Sequence, residues 1–279
     1  MTTSNLLSVE SHFAFGKNWL DYAQKINAQK IAQAVADLQR LSGRERFDGL
    51  SFLDIGCGSG LHSLAALRMG ATRVVGVDID PDSVAAAHGT VQKFAADPNL
   101  AQFNVCSVFD MTPQIHGDFD VVYSWGVLHH TGDMYRALTI AAGLVKPGGV
   151  FLVALYSKTS FCGAWAHIKR WYTSASPDAQ RRARNVYIRL HAFALKLKGQ
   201  SFDAYVGKYI NQRGMDYYND IHDWMGGYPY ESMDPQECRT FFAGLNLQLE
   251  REFILTPGRR PRGLLGSGCD EYTFRRSNA

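Results

Sequence analysis

From about residue 10 to residue 40, Trp19, Tyr22, Ile26, Ile31, Ala34, Leu38 and Leu41 recur at three- to five-residue spacing. That rhythm predicts a helical segment, and Gly43 supplies a stop. After Gly49 the pattern changes to short apolar runs separated by helical stretches. Strands are predicted at Leu50 to Ile55, Arg73 to Val77, Phe103 to Val108, Phe119 to Tyr123 and Val150 to Tyr156. Helices are predicted between them at Gly60 to Met69, Pro81 to about Ala96 with Asp80 as N-cap, and Met134 to Val145. Strands alternating with helices specify an α/β fold, with a mostly parallel sheet covered by helices on both faces.

The alternation stops after Tyr156. Residues 157–232 carry many aromatics and no strand-like run, and Ser176-Pro177-Asp178 predicts a helix running to Lys198 with Gly199 beyond it. Strand character returns at Leu247 to Leu255 and Asp270 to Arg275. The expected organisation is one domain over 1–279: an N-terminal helical cap (1–48), a core (49–156 and 233–279) and a helical lid insertion (157–232).

Composition narrows the class. With 46% hydrophobic and 20% charged residues, the 279-residue chain can bury a sizeable core. The run Val150 to Tyr156 is far shorter than the roughly 20 residues that span a bilayer. Met1 to Ser8 lacks a signal-peptide pattern, and the five cysteines show no Cys-x-x-Cys pair. A cytoplasmic protein with reduced thiols is expected. The nine histidines show no metal-ligand spacing, so no metal is expected. A formal charge of +3 is too small to argue for nucleic acid. The excess lies in 157–232, with eleven Lys/Arg against six Asp/Glu.

The strongest motif is Leu53-Asp54-Ile55-Gly56-Cys57-Gly58-Ser59-Gly60, where a buried strand turns into a helix. Glycine lets the backbone approach a ligand and adopt positive φ. Gly56, Gly58 and Gly60 are spaced Gly-x-Gly-x-Gly, whereas a dinucleotide loop needs Gly-x-Gly-x-x-Gly to seat pyrophosphate. Asp54 is also a poor neighbour for pyrophosphate and suits a cationic amino group.

Across residues 50–156 the chain resembles the class I S-adenosylmethionine-dependent methyltransferases, whose fold is Rossmann-like. The resemblance implies S-adenosylmethionine as cofactor and S-adenosylhomocysteine as product, held by Asp54, Gly56, Cys57, Gly58, Gly60 and Leu61. It also implies that Asp78, in Val77-Asp78-Ile79-Asp80, accepts from both ribose hydroxyls, and that Ile79 packs on adenine. Asp110 matches the acceptor for the adenine amino group, with Phe109 and Met111 beside it. Lys146-Pro147-Gly148-Gly149 matches the family's turn before the fifth strand. The backbone at Ser124 and Trp125 is expected at the methionine end. In Phe13-Ala14-Phe15-Gly16-Lys17-Asn18-Trp19-Leu20, Trp19 or Lys17 either touches cofactor or anchors the first helix.

Val127-Leu128-His129-His130-Thr131 follows the fourth strand, at the carboxyl edge where open α/β sheets bind ligands. A histidine aligning with His130 is a base in some members of the family, and imidazole accepts a proton near neutral pH. His129 and Tyr156 are expected to line the acceptor pocket. Gly214 to Glu231 packs Tyr217, Tyr218, His222, Asp223, Trp224, Tyr228 and Tyr230 around a Gly-Gly break. It reads either as a lid packing aromatics on the sheet or as a substrate wall, with Tyr217, Tyr218 and Trp224 in contact and His222 or Asp223 as reserve bases. This stretch and the tail Gly268 to Phe274 resemble a subgroup of bacterial small-molecule methyltransferases.

In the Pro177–Lys198 helix, Ala183, Val186, Leu190, Phe193 and Leu197 form an apolar stripe among Arg181, Arg182, Arg184, Arg189, Lys196 and Lys198. A solvated basic face is the simplest account; docking of an anionic substrate or carrier is the alternative. Arg259-Arg260-Pro261-Arg262 is a second basic cluster. The expected function is methylation of a hydroxyl or amine on a small, anionic or neutral acceptor in bacterial secondary-metabolite or sugar biosynthesis. The expected protein is a monomer or homodimer, with no nucleic-acid or membrane partner. The alternatives are an RNA or protein methyltransferase and a catalytically silent cofactor-binding partner subunit.

Overall fold

The computed structural model describes residues 16–213, 217–258 and 262–278. Phe13 and Phe15, the Gly214–Asp216 start of the aromatic stretch, and the Arg259-Arg260-Pro261 run lie outside the described residues. The elements in order are α1 (Gly16–Gln24), α2 (Ala28–Ser42), β1 (Ser51–Ile55), α3 (Leu61–Arg68), β2 (Arg73–Asp78) and α4 (Pro81–Phe94). β3 (Ala101–Val105), α5 (Pro113–His116), β4 (Phe119–Trp125), α6 (Met134–Gly143) and β5 (Val145–Tyr156) follow. Then come α7 (Cys162–Ser174), α8 (Pro177–Leu197), α9 (Phe202–Arg213), α10 (Tyr217–Gly226), α11 (Pro235–Ala243), β6 (Leu247–Phe253) and β7 (Cys269–Arg276).

The seven strands form one sheet in the order β3-β2-β1-β4-β5-β7-β6, parallel except at β7, which is antiparallel to both neighbours. Strand side chains alternate between two cores. Phe52, Val74, Val121 and Leu152 pack with α2 and α3 on one face, while Leu53, Val75, Val122 and Phe151 pack with α6 and α11 on the other. Phe52 is fully buried and stacked between Phe47 at 5.9 Å and Tyr123 at 5.8 Å. Burying such a side chain stabilises the fold by about 1.5–3 kcal/mol. This Rossmann-like α/β sheet, helices on both faces, is the architecture that the alternation predicts.

Several boundaries move for physical reasons. The N-terminal helical run breaks at Lys25–Asn27, because the Asn27 side chain accepts from the Lys30 N–H and starts a second helix. Gly43 closes that helix at φ 68°, with its N–H on the Gln39 carbonyl. Asp80 caps α4 and Ser176 caps α8, as their local patterns predict. The third strand ends at Val105, not Val108: Ser107 caps a turn by accepting from the Phe109 N–H. It is an edge strand paired only with β2, and its apolar signal is correspondingly weak. α6 stops at Gly143, because Val145 already pairs with Phe119 in β5. The Lys146–Gly149 turn bulges between that pair and Val121–Val150.

Helices α7 to α10 lie between β5 and α11 and surround a small core of their own, Tyr172, Tyr209, Tyr217, Ile221 and Met225. The apolar stripe of α8 points the other way: Val186, Leu190, Phe193 and Leu197 are all exposed. No helix among the described residues is long and apolar enough to cross a membrane.

Candidate active site

The glycine loop connects β1 to α3, and all three of its glycines are left-handed, with φ of 78°, 50° and 71° at Gly56, Gly58 and Gly60. Each also marks a close approach. A Cβ on Gly56 would overlap Val127, one on Gly60 would stand 2.7 Å from the Ala87 Cα, and one on Gly58 would stand 3.0 Å from the Trp19 ring. Alanine is therefore excluded at Gly56 and Gly60 on both strain and space. The Gly56 contact sets the loop after β4 directly against the glycine loop. The Gly58 contact lays α1 across it. α1 is held there by the Gly16 N–H, which donates to Asp80 at 2.9 Å.

Asp78 ends β2 beside this loop. One carboxylate oxygen accepts from the Gly58 N–H at 3.1 Å and the other from the Asp80 N–H at 3.0 Å. Burial pushes its carboxyl up, against these backbone donors. Asp54 is buried under the loop and accepts from the Ser63 hydroxyl at 2.6 Å. Burial raises its pKa to about 7, although Ser63 pulls it down. Cys57 and Leu61 are buried and Ile79 is half-buried at this end of the sheet. Phe109 and Asp110 lie on the turn after β3, Asp110 exposed and Phe109 under the Arg136 guanidinium at 4.8 Å, while Met111 is buried in the core. Ser124 is buried, its hydroxyl on the Ile55 carbonyl at 3.0 Å, and the Trp125 indole N–H donates to Glu271 at 2.7 Å.

The Leu128–His130 turn carries two histidines in opposite tautomers. His130 Nδ1 lies 2.7 Å from the Pro229 carbonyl, an acceptor only, so Nδ1 bears the proton and Nε2 the lone pair. His129 is fully buried, and its Nδ1 accepts from the Tyr156 N–H at 3.3 Å. Its proton then sits on Nε2, which is buried with no hydrogen-bond partner among the described residues. Burial, then the nearby His130 and Lys169, holds His129 well below the usual imidazole range, so it stays neutral. The Gly227–Glu231 segment runs along this turn: the Glu231 N–H donates to the His129 carbonyl at 3.0 Å. A Cβ on Gly227 would stand 2.7 Å from His130 Cε1, so a side chain there would push on the histidine ring.

Tyr156, at the end of β5, packs on His129 with ring centroids 3.9 Å apart, and on Trp224 and Tyr230 at 5.2 and 5.3 Å. Lys169 of α7 joins this cluster and was not visible as a site residue in the sequence. It is fully buried, its ammonium 3.6 Å from the Trp224 ring centre and donating to the Trp224 carbonyl. Burial holds it well below the usual ammonium range. The available signal was its place between Trp165 and Tyr172 on the buried face of one helix. Like His129, Trp224 has a buried N–H without a partner among the described residues. Donors thus outnumber acceptors here.

The remaining predicted residues separate. Asp223 meets α1, accepting from the Asn18 amide at 2.5 Å, and burial raises its pKa to about 7. His222 is engaged inside the helical unit, its Nδ1 2.7 Å from the Tyr172 hydroxyl and 2.9 Å from Arg184. Tyr217 is in the core of that unit with its hydroxyl on His191, and Tyr218 is half-exposed beside it. Among the described residues, no three His, Cys, Asp or Glu side chains converge as a metal site.

A methyltransferase-domain family model matches residues 53–153. The chain is 32% identical over 188 residues to a ubiquinone biosynthesis O-methyltransferase from Maricaulis maris, covering 65% of this chain and 70% of that one. A second, from Caulobacter sp., is 33% identical over 153 residues, and there the chain spans 59% of its length. Among solved structures, the fold is similar to magnesium protoporphyrin IX methyltransferase from Synechocystis PCC 6803 with bound S-adenosylhomocysteine. That match has a TM-score of 0.54 at 16% identity, over 94% of this chain and 96% of that one. PKMT2 from Rickettsia typhi gives 0.59 at 15% identity, over 88% and 53%. The chain belongs to the class I S-adenosylmethionine-dependent methyltransferases.

Proposed function

We propose that this enzyme methylates a hydroxyl group of a small, anionic or acidic acceptor in bacterial secondary-metabolite or sugar biosynthesis, with His130 as the general base. The observation that carries this reading is the His130 tautomer. The Pro229 carbonyl accepts from Nδ1, so in the neutral ring Nε2 is the nitrogen that would take up the acceptor's proton. An amine acceptor, neutral at attack, has no need of such a base, which favours oxygen over nitrogen. The O-methyltransferase names of the curated relatives support the same choice.

The chain's residues fit the cofactor. Asp78 would accept from the ribose hydroxyls, Ile79, Phe109 and Asp110 would meet the adenine, and the backbone of Gly56 to Gly60 and of Ser124 and Trp125 would flank the methionine moiety. Asp54, buried below, would act on its ammonium through charge. When bound, S-adenosylmethionine supplies an electrophilic methyl group on a sulfonium. His130 Nε2 takes the acceptor's proton as the oxygen attacks, while the His129 and Trp224 N–H groups favour negative charge on the acceptor. Helices α7 to α10 act as a lid, and Trp19 and Asp223 close the crevice from its two sides. Much of the rate then comes from holding oxygen and methyl about 3–3.5 Å apart.

The test is a paired acceptor screen following S-adenosylhomocysteine by mass spectrometry. Small phenols and catechols bearing a carboxylate, such as 3,4-dihydroxybenzoate, are compared with amine analogues and with uncharged amides. Turnover of hydroxyl compounds, fastest with the carboxylate, is expected. Turnover confined to amines would overturn the reading.

A further inference from the structure

α8 is apolar on two opposite sides. Successive helical residues advance by about 100°, which places Ile188, His191 and Leu195 on one side. That side is anchored inward: Leu195 is buried, Ile188 packs on the core of the helical unit, and His191 bonds the Tyr217 hydroxyl at 2.7 Å. On the far side, Val186, Leu190, Phe193 and Leu197 fall in one narrow stripe and are 55, 55, 60 and 74% exposed. Arg182, Arg189 and Lys196, seven apart, run beside the stripe. The only acid on α8, Asp178, is bonded to Arg181. The preceding helix α7 also exposes Ile168 and Trp171 at 38% and 51%.

Four large apolar side chains in one row do not remain in water without a use. The row bordered by a row of cations is the pattern of a helix lying in the plane of a membrane surface. Its apolar face enters the acyl boundary, and its Arg and Lys side chains reach the headgroups. A second copy fits less well, since antiparallel self-pairing along the stripe would set Arg182 of one copy near Lys196 of the other. We infer that α8 docks the enzyme on an anionic lipid surface through Val186, Leu190, Phe193 and Leu197, with Arg182, Arg189 and Lys196 on the headgroups. This does not depend on which acceptor the enzyme methylates.

The test is co-sedimentation of the full chain with vesicles of phosphatidylcholine alone or mixed with phosphatidylglycerol, at low and high salt. Binding to the mixed vesicles, weakened by salt, is expected. Arg182→Gln/Arg189→Gln/Lys196→Gln should weaken it on the order of a hundredfold, and Leu190→Ser/Phe193→Ser should abolish it. Both variants should keep the parent's thermal transition and S-adenosylhomocysteine affinity, since these side chains are exposed. No binding to mixed vesicles, or binding that both variants retain, would overturn the inference. So would a parent dimer in size-exclusion light scattering that Leu190→Ser/Phe193→Ser splits, because the stripe would then join two copies.

Discussion

The Asn18 amide of α1 donates to the Asp223 carboxylate of α10 at 2.5 Å, so the N-terminal helix and the helical unit are tied to each other across 205 positions of sequence. One residue on, Trp19 covers Gly58, and four residues after Asp223, Gly227 abuts His130. The tie therefore joins the cover of the glycine loop to the cover of the histidine turn. Removing it should loosen both. A hydrogen bond contributes about 0.5–1.5 kcal/mol, so Asn18→Ala should raise proteolytic cleavage within 157–232 by about two- to tenfold. Bound S-adenosylhomocysteine and acceptor should restore protection. Cleavage unchanged in Asn18→Ala would separate the two covers.

The same contact should respond to pH. With α1 and α10 in contact, burial raises the Asp223 pKa to about 7, against an ordinary carboxylate value of 3.8. The contact thus binds the proton more tightly than separated helices would, so it is favoured on the acid side and lost as pH rises through about 7. Cleavage of the helical unit should increase from pH 6 to pH 8 in the parent. In Asp223→Asn that slope should vanish.

Asp78 should dominate cofactor affinity. Asp78→Ala removes the acceptor proposed for two ribose hydroxyls and also frees the Gly58 N–H that it holds at 3.1 Å. At about 1.5–3 kcal/mol for each of two hydrogen bonds, calorimetry should show S-adenosylhomocysteine binding weakened by roughly a hundredfold to ten-thousandfold. Parent-like affinity would remove Asp78 from the cofactor site.

His130→Ala should depress single-turnover methylation by about 10²- to 10⁴-fold, leaving S-adenosylhomocysteine affinity within about twofold, since the proposed cofactor contacts come from other residues. A variant within threefold of the parent would make His130 a wall of the pocket, not a base.

Asp54 should couple cofactor binding to protons. Burial raises its pKa to about 7 in the ligand-free protein, and a neighbouring ammonium favours the carboxylate. Binding at pH 6 should release a proton, read by calorimetry in buffers of different ionisation enthalpy. The raised pKa also means that the stability Asp54 contributes is fully present below about 3.8 and is lost as pH rises through about 7. Asp54→Asn should therefore flatten the melting temperature over that window while weakening cofactor binding.

What the sequence determined is local. Gly43, Asp80 and Ser176 end or begin helices because a cap needs only its own turn, and the Gly56, Gly58 and Gly60 spacing specifies a loop whose left-handed backbone is set by missing Cβ atoms. The alternation of apolar runs carried the sheet, since periodicity follows directly from which face is buried. The boundaries of β3 and β5 escaped it, because an edge strand and a bulged turn depend on the partner strand. Only the tertiary structure decided which nitrogen of His130 carries the proton, because the Pro229 carbonyl that decides it lies 99 positions away. It also decided that Lys169 is buried among aromatics while the longer apolar stripe of α8 faces outward. Helical spacing says that a stripe exists, but which of two apolar faces meets the core depends on what packs against it.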